Sequence, residues 1–151
     1  MPNWCKGTLK IRGTISNLKK FVCEGLASIS GENVLQIIDD DSLSFCVEVK
    51  TTLWIKGTHR HFVEPDYIEA YADSQDEKCV LTIPMEAAWS IDSDSLLAIC
   101  KEFKIDMKIQ GFEKGMEFSQ LIEIVDEKII QDEEIIYKDW KWDCPCPDIG
   151  G

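Results

Sequence analysis

The chain has 151 residues, with 28 acidic and 16 basic groups, and therefore a formal net charge of −12. Apolar residues make up 44% and charged residues 29%, which is the composition of a globular domain and not of a disordered chain. The excess of acidic over basic residues argues against direct nucleic-acid binding, which needs clustered lysine and arginine. No apolar run reaches the roughly 18 residues of a membrane span. Since a signal-peptide pattern is also missing from the N-terminus, we expect a cytoplasmic protein without a membrane partner.

Cysteine usage agrees with that compartment. Seven cysteines are scattered along the chain, and this odd number at irregular spacing is not typical of a disulfide framework. Three of them, Cys23, Cys46 and Cys100, lie on apolar-periodic segments. We interpret these three as small buried hydrophobic residues in a reducing cytosol.

The first third of the chain predicts a strand, a helix and a hairpin. Residues 5–12 alternate apolar and polar side chains, as a half-buried strand does. Apolar residues over 15–29 recur at helical spacing, with Thr14 or Ser16 as N-cap and Ser30-Gly31 as the stop. Residues 34–38 and 43–49 then predict two strands joined by the polar turn Asp39-Asp40-Asp41-Ser42.

The remainder predicts a second helix among strands. Residues 51–78 are irregular, with short strand candidates, and residues 79–83 predict a firm strand. Apolar residues over 93–103 predict a helix, for which Asp92 and its neighbours are good N-caps. Strand patterns follow at residues 105–109, 118–125 and 129–137, and the last two form a closing hairpin.

The order of these elements predicts an α+β fold. A β–α–β–β start is half of a ferredoxin-like fold, and both helices need one sheet to bury their apolar stripes. We therefore expect a ferredoxin-like sandwich with a mainly antiparallel sheet, two helices on one face and an extra C-terminal hairpin. Residues 1–138 would form this single domain, with 51–78 as an irregular insertion. Residues 139–151 would be a tail rich in tryptophan, cysteine and proline.

Three short segments resemble a known family. Residues 1–13 (MPNWCKGTLKIRG), Ala88-Trp89-Ser90 and Gly115-Met116-Glu117-Phe118 are similar to elements of the YubB ferredoxin-like family of phage- and plasmid-borne proteins. The resemblance implies a ferredoxin-like sandwich without an iron–sulfur cluster. It also implies an accessory protein of a mobile genetic element, with no established reaction and no cofactor.

Charge and aromatic residues give the candidates for partner binding. Residues 1–38 carry five basic and two acidic groups, whereas residues 39–151 carry 11 basic and 26 acidic groups. The acidic excess is larger than the roughly 2–8 charges that keep a small domain soluble. We therefore predict partner-binding residues in the run Asp132-Glu133-Glu134. Trp140 and Trp142 would lie on one face of an extended tail, as a docking patch or as a cap on one end of the sandwich.

Histidine and cysteine side chains give a candidate metal site. His59 and His61 with Cys144 and Cys146 supply the residue types of a tetrahedral zinc site, although a Cys-x-Cys spacing is tighter than zinc loops use. The alternative is an exposed histidine pair and a proline-rich tail, and we expect no bound metal.

Three functions remain open from the sequence. The first is a non-enzymatic accessory protein whose acidic surface binds another protein, with a basic protein as the complementary partner. The second is an acidic mimic of nucleic acid that inhibits a host protein. The third is a cysteine- or metal-dependent hydrolase, although the chain carries no glycine-rich phosphate loop, His-Glu-x-x-His or Gly-x-Ser-x-Gly motif.

Overall fold

A computed structural model describes residues 1–29 and 35–151. The predicted helix stop at Ser30-Gly31 and the first residue of the predicted strand 34–38 lie outside the described residues. The elements in chain order are β1 (Trp4–Gly13), α1 (Ile15–Lys20) with a π-helical continuation (Phe21–Gly25), β2 (Leu26–Ser28), β3 (Leu35–Asp40), β4 (Ser44–Val49), β5 (Leu53–Ile55), β6 (His61–Val63), β7 (Tyr67–Tyr71), β8 (Cys79–Ala88), α2 (Ser93–Phe103), β9 (Asp106–Glu113), β10 (Phe118–Val125), β11 (Lys128–Ile136) and α3 (Trp140–Asp143).

The prediction of a two-helix, ferredoxin-like α+β sandwich is wrong. Strands make up 49% of the structure and helices only 18%, so the fold is mainly β. The strands form two antiparallel sheets, an eight-stranded one in the order β11-β10-β9-β1-β8-β6-β5-β2 and a three-stranded one in the order β3-β4-β7. Strands β5, β6 and β7 all come from residues 51–78, so that segment belongs to both sheets.

Sheet width is the physical reason for this difference. Eight strands at a spacing of about 4.8 Å span roughly 34 Å, whereas two helices, each about 10 Å wide, cover only about 20 Å. The three-stranded sheet supplies further cover, because its residues Phe45, Val47 and Ile68 belong to the same buried core cluster as Leu9 and Ile11 of β1. The sequence predicted the β3–β4 hairpin, but residues 51–78 were too irregular to reveal that β7 joins this hairpin as a second layer.

The first predicted helix is also shorter than its apolar spacing indicates. The α-helix ends at Lys20, continues as a π turn to Gly25, and Leu26 then adopts an extended conformation and pairs with Ile55. A side chain at position 25 would come within 2.7 Å of the Phe21 ring, so only glycine fits at this turn. The apolar residues after Gly25 matched the helical period by coincidence, and Ile29 is exposed.

The large sheet has two different faces. Its inner face packs against α1, α2 and the small sheet, while its open face carries Lys6, Lys10 and Arg12 of β1. The C-terminal tail folds back at this open face, where Trp140 and Cys144 form a second apolar cluster with Phe112. The tail is therefore an ordered part of the fold.

Candidate protein-binding surface

Strand β11 lies at one edge of the eight-stranded sheet. It pairs antiparallel with β10, and no other described strand lies beside it. An edge strand presents a row of backbone N–H and C=O groups that have no strand partner. An extended peptide can bind such a row as an additional strand. We call Lys128–Ile136 with its free backbone the β11 edge.

The predicted acidic run lies in the middle of the β11 edge. Side chains alternate between the two faces of a strand, so Asp132 and Glu134 lie on the inner side and Glu133 on the open side. The contact of Asp132 agrees with this, because its Oδ2 accepts a hydrogen bond of 2.6 Å from Ser93 Oγ at the start of α2. All three carboxylates are exposed, and none of them forms an ion pair within the described residues.

Exposed isoleucines flank these carboxylates. Ile130, Ile135 and Ile136 are 58%, 40% and 75% exposed, so both ends of the edge are apolar. Sequence analysis did not identify them as site residues. The signal was present in the doublets Ile129-Ile130 and Ile135-Ile136, because neighbouring residues in a strand cannot both face the core.

A β-bulge divides the edge unequally. Gln131 pairs with Glu123 and Ile129 pairs with Ile124, which makes Ile130 the extra residue. From Gln131 to Ile136 the register with β10 is regular. Six residues extend over about 20 Å, which is enough for a short peptide strand.

The structure separates the two tail tryptophans that the sequence placed together. The segment forms the short helix α3 with Asp139 as its N-cap, and residues two apart on a helix point in nearly opposite directions. Trp140 is buried, with its Nε1–H donating to the Pro147 carbonyl over 2.8 Å and its ring edge-on to Tyr137 at 5.5 Å. Trp142 is 85% exposed. Only Trp142 is therefore available to a partner.

His59 and His61 also have different surroundings. His59 is exposed, whereas His61 is buried at the start of β6. Its Nδ1 donates to the His59 carbonyl at 3.0 Å, and its Nε2 accepts the Asp92 backbone N–H at 2.9 Å. Burial lowers the pKa of His61. With both ring nitrogens occupied, the His61 side chain helps to hold the start of α2.

The four candidate zinc ligands are not brought together. His61 lies on the inner face of the large sheet opposite Ala87, whereas Cys144 packs against Phe112 on the open face. The sheet thus separates His61 from Cys144. Among residues 1–29 and 35–151, no group of three or more histidine, cysteine or acidic side chains has the geometry to hold a metal ion.

The buried thiols are poor nucleophiles. Burial raises the pKa of both Cys5 and Cys100 to about 12, with a smaller contribution from Glu113 for Cys5 and from Asp106 for Cys100. A cysteine nucleophile needs the opposite change, because the reactive species is the thiolate. These two residues therefore behave as core side chains. Of the three cysteines predicted to be buried, Cys100 is buried, Cys46 is half-buried and Cys23 is exposed.

Comparisons with known proteins found no match among protein-family models, curated proteins or solved structures. Within the described part of the chain, none of the helices is both long enough and apolar enough to span a membrane.

Proposed function

We propose that this chain is a non-enzymatic, cytoplasmic accessory protein that binds a basic protein partner by strand addition at the β11 edge. The observation that carries the proposal is a six-residue regular strand edge whose three central carboxylates are exposed and form no ion pair with any described residue. Its role in a mobile genetic element rests on the resemblance of residues 1–13, 88–90 and 115–118 to the YubB family. The cytoplasmic location is supported by seven free thiols.

Backbone and side chains would have separate tasks in this interaction. Hydrogen bonds from the β11 backbone supply affinity for any extended segment, and the side chains select among segments. Lysine or arginine on the partner strand would face Asp132, Glu133 and Glu134, and apolar residues would cover Ile135 and Ile136. The same carboxylates make a second copy of this chain an unfavourable partner, because pairing β11 with itself sets like charges opposite each other.

A strand-forming basic peptide tests the proposal directly. The probe is the acetylated, amidated lysine–valine hexapeptide VVKKKV. In antiparallel pairing its two leading valines lie opposite the isoleucine doublet and its three lysines lie opposite the carboxylates. Binding is measured by calorimetry and by amide chemical shifts. We expect the largest shifts at residues 131–136. The triple variant D132N/E133Q/E134Q should weaken binding about tenfold, which is roughly 1.4 kcal/mol. Affinity should also fall as salt rises through about 0.1 M, where the screening length is near 10 Å.

A matched variant separates the edge from the overall charge. E24Q/E102Q/D148N removes three exposed carboxylates elsewhere and changes the net charge by the same amount. We expect it to bind the peptide within about twofold of the parent chain, since distant exposed charges are largely screened. Equal weakening by both triple variants, or the absence of shifts along residues 131–136, would contradict binding at the edge. Displacement of a natural partner by duplex DNA would identify that partner as a nucleic-acid-binding protein.

A further inference from the structure

The three-stranded sheet leaves its outer face uncovered. Phe45, Val47 and Ile68 point into the core from one face, so the alternate residues of β4 and β7 lie on the other. Tyr67 and Tyr71 of β7 are 56% and 70% exposed on that outer face. We call it the tyrosine face. It is separate from the β11 edge, which belongs to the other sheet.

Register places the polar groups of the tyrosine face in rows. Asp39 of β3 pairs with Cys46 of β4, and Cys46 pairs with Glu69 of β7, so a thiol lies between two carboxylates. Tyr67 and Tyr71 each lie two residues from Glu69 along β7, or about 6.7 Å. An acidic group is thus bracketed by two aromatic rings.

A groove follows this arrangement. It has a volume of about 640 Å³ and runs from Asp39, Cys46, Glu69 and Tyr71 to the start of β8 at Cys79. Burial raises the pKa of the Cys46 thiol, and the nearby carboxylates of Glu69 and Asp39 raise it further. Among the described residues, neither Asp39 nor Glu69 has a cationic partner within 4.0 Å.

One lysine offsets only part of the negative charge of the groove. Lys78 lines it, but its Nζ lies 4.0 Å from the Asp106 carboxylate. Glu77 adds a further carboxylate to the lining. The groove therefore combines negative charge, an exposed aromatic ring and enough volume for one long side chain.

We propose that the tyrosine face binds an arginine side chain of a basic partner segment. A guanidinium group stacks on aromatic rings and donates two parallel N–H hydrogen bonds to a carboxylate in one plane, so Tyr71 and Glu69 offer it complementary contacts. The net charge of −12 disfavours a second copy of this chain as the occupant. The same repulsion disfavours a nucleic acid.

Thiol footprinting locates the bound peptide. The probe is an acetylated, amidated tetra-arginine peptide, and iodoacetamide labelling of each cysteine is followed by mass spectrometry. Cys46 and Cys79 line the groove, whereas exposed Cys23 lies outside it on the π turn and serves as the internal standard. We expect saturating peptide to slow labelling of Cys46 and Cys79 about threefold or more and to leave Cys23 nearly unchanged.

Matched single variants complete the test. Glu69→Gln should weaken tetra-arginine binding about fivefold and abolish the protection of Cys46, because it removes a charge-assisted contact. Glu102→Gln on the exposed side of α2 removes the same charge and should leave both unchanged. D132N/E133Q/E134Q should also retain the protection, since the β11 edge is a different site. Equal protection of Cys23 and Cys46, or equal weakening by Glu69→Gln and Glu102→Gln, would show attraction to net charge alone and overturn the proposal.

Discussion

Strands β11 and β3 are both edge strands that carry acidic groups and exposed isoleucines, yet they differ in what they offer a partner. Each contains a bulge, and the extra residue is an exposed isoleucine, Ile130 in β11 and Ile38 in β3. The bulge in β11 lies near its start and leaves six residues in register. The bulge in β3 interrupts a six-residue strand near its middle, so no long regular edge remains.

The two edges are also held by different helix residues. Ser93 of α2 contacts Asp132 through a neutral hydroxyl, which leaves the negative charge of β11 in place. Lys19 of α1 forms an ion pair with Asp40 of β3 and donates to the Asp41 carbonyl over 2.8 Å, which cancels charge there. Similar compositions thus give one edge that suits a basic strand and one edge that a partner strand cannot easily pair with.

Removing the buried Trp140 ring beyond the end of β11 should have the largest effect on the free energy of unfolding. Trp140 is buried beside Tyr137, which follows β11 directly, so Trp140→Ala should destabilise the chain by about 3–5 kcal/mol in urea unfolding. Trp142→Ala removes an equally large but exposed ring and should cost within about 0.5 kcal/mol. Equal costs for the two variants would contradict the packed tail.

Trp140 and Trp142 show which features of the fold the sequence could predict and which it could not. Alternation and helical spacing predicted β1, β10 and α2 well, because each has one face in the core. They did not separate Trp140 from Trp142, since the outcome depends on whether four residues form a helix or extend. Asp132, Glu133 and Glu134 were identified by charge alone. Their place on an edge depends on pairing between distant strands, which local spacing does not encode.

The N-cap of α2 tests how firmly the β11 edge is supported. Asp92 accepts hydrogen bonds from the Asp94 and Ser95 backbone N–H groups and from Ser95 Oγ, the last at 2.6 Å. Asp92→Ala should cost about 0.5–2 kcal/mol of stability and loosen the Ser93 contact to β11. The Ser95 hydroxyl lowers the pKa of Asp92, so the difference from the parent chain should shrink progressively as pH falls below the unfolded value of about 3.8. A difference in urea unfolding that stays constant from neutral pH down to pH 2.5 would contradict this assignment.

The hydrogen bond between His61 and the start of α2 should make the stability of the chain sensitive to mild acid. Its pKa is lowered by burial, so the unfolded chain binds a proton more readily than the folded chain. Stability is therefore complete above the unfolded pKa of about 6.5 and declines as pH falls through that value. Around His61, the carboxylate of Asp92 and the ring of His59 are the titratable neighbours that act on it. His61→Gln keeps an acceptor for the Asp92 N–H, and its melting temperature should change less between pH 7 and pH 5 than that of the parent chain. The same dependence of melting temperature on pH in both chains would show that another group is responsible.

The ion pair at β3 should have the smallest effect on stability and gives the sharpest comparison of the two edges. Lys19 and Asp40 are partly exposed, so Lys19→Ala should cost less than about 1 kcal/mol. The variant leaves β3 with free carboxylates like those of β11 but keeps its bulge at Ile38. If regular register is what a partner strand requires, the lysine–valine hexapeptide should bind Lys19→Ala at a single site with affinity within about twofold of the parent chain. Calorimetry that shows a second site on Lys19→Ala would mean that charge, and not the position of the bulge, distinguishes the two edges.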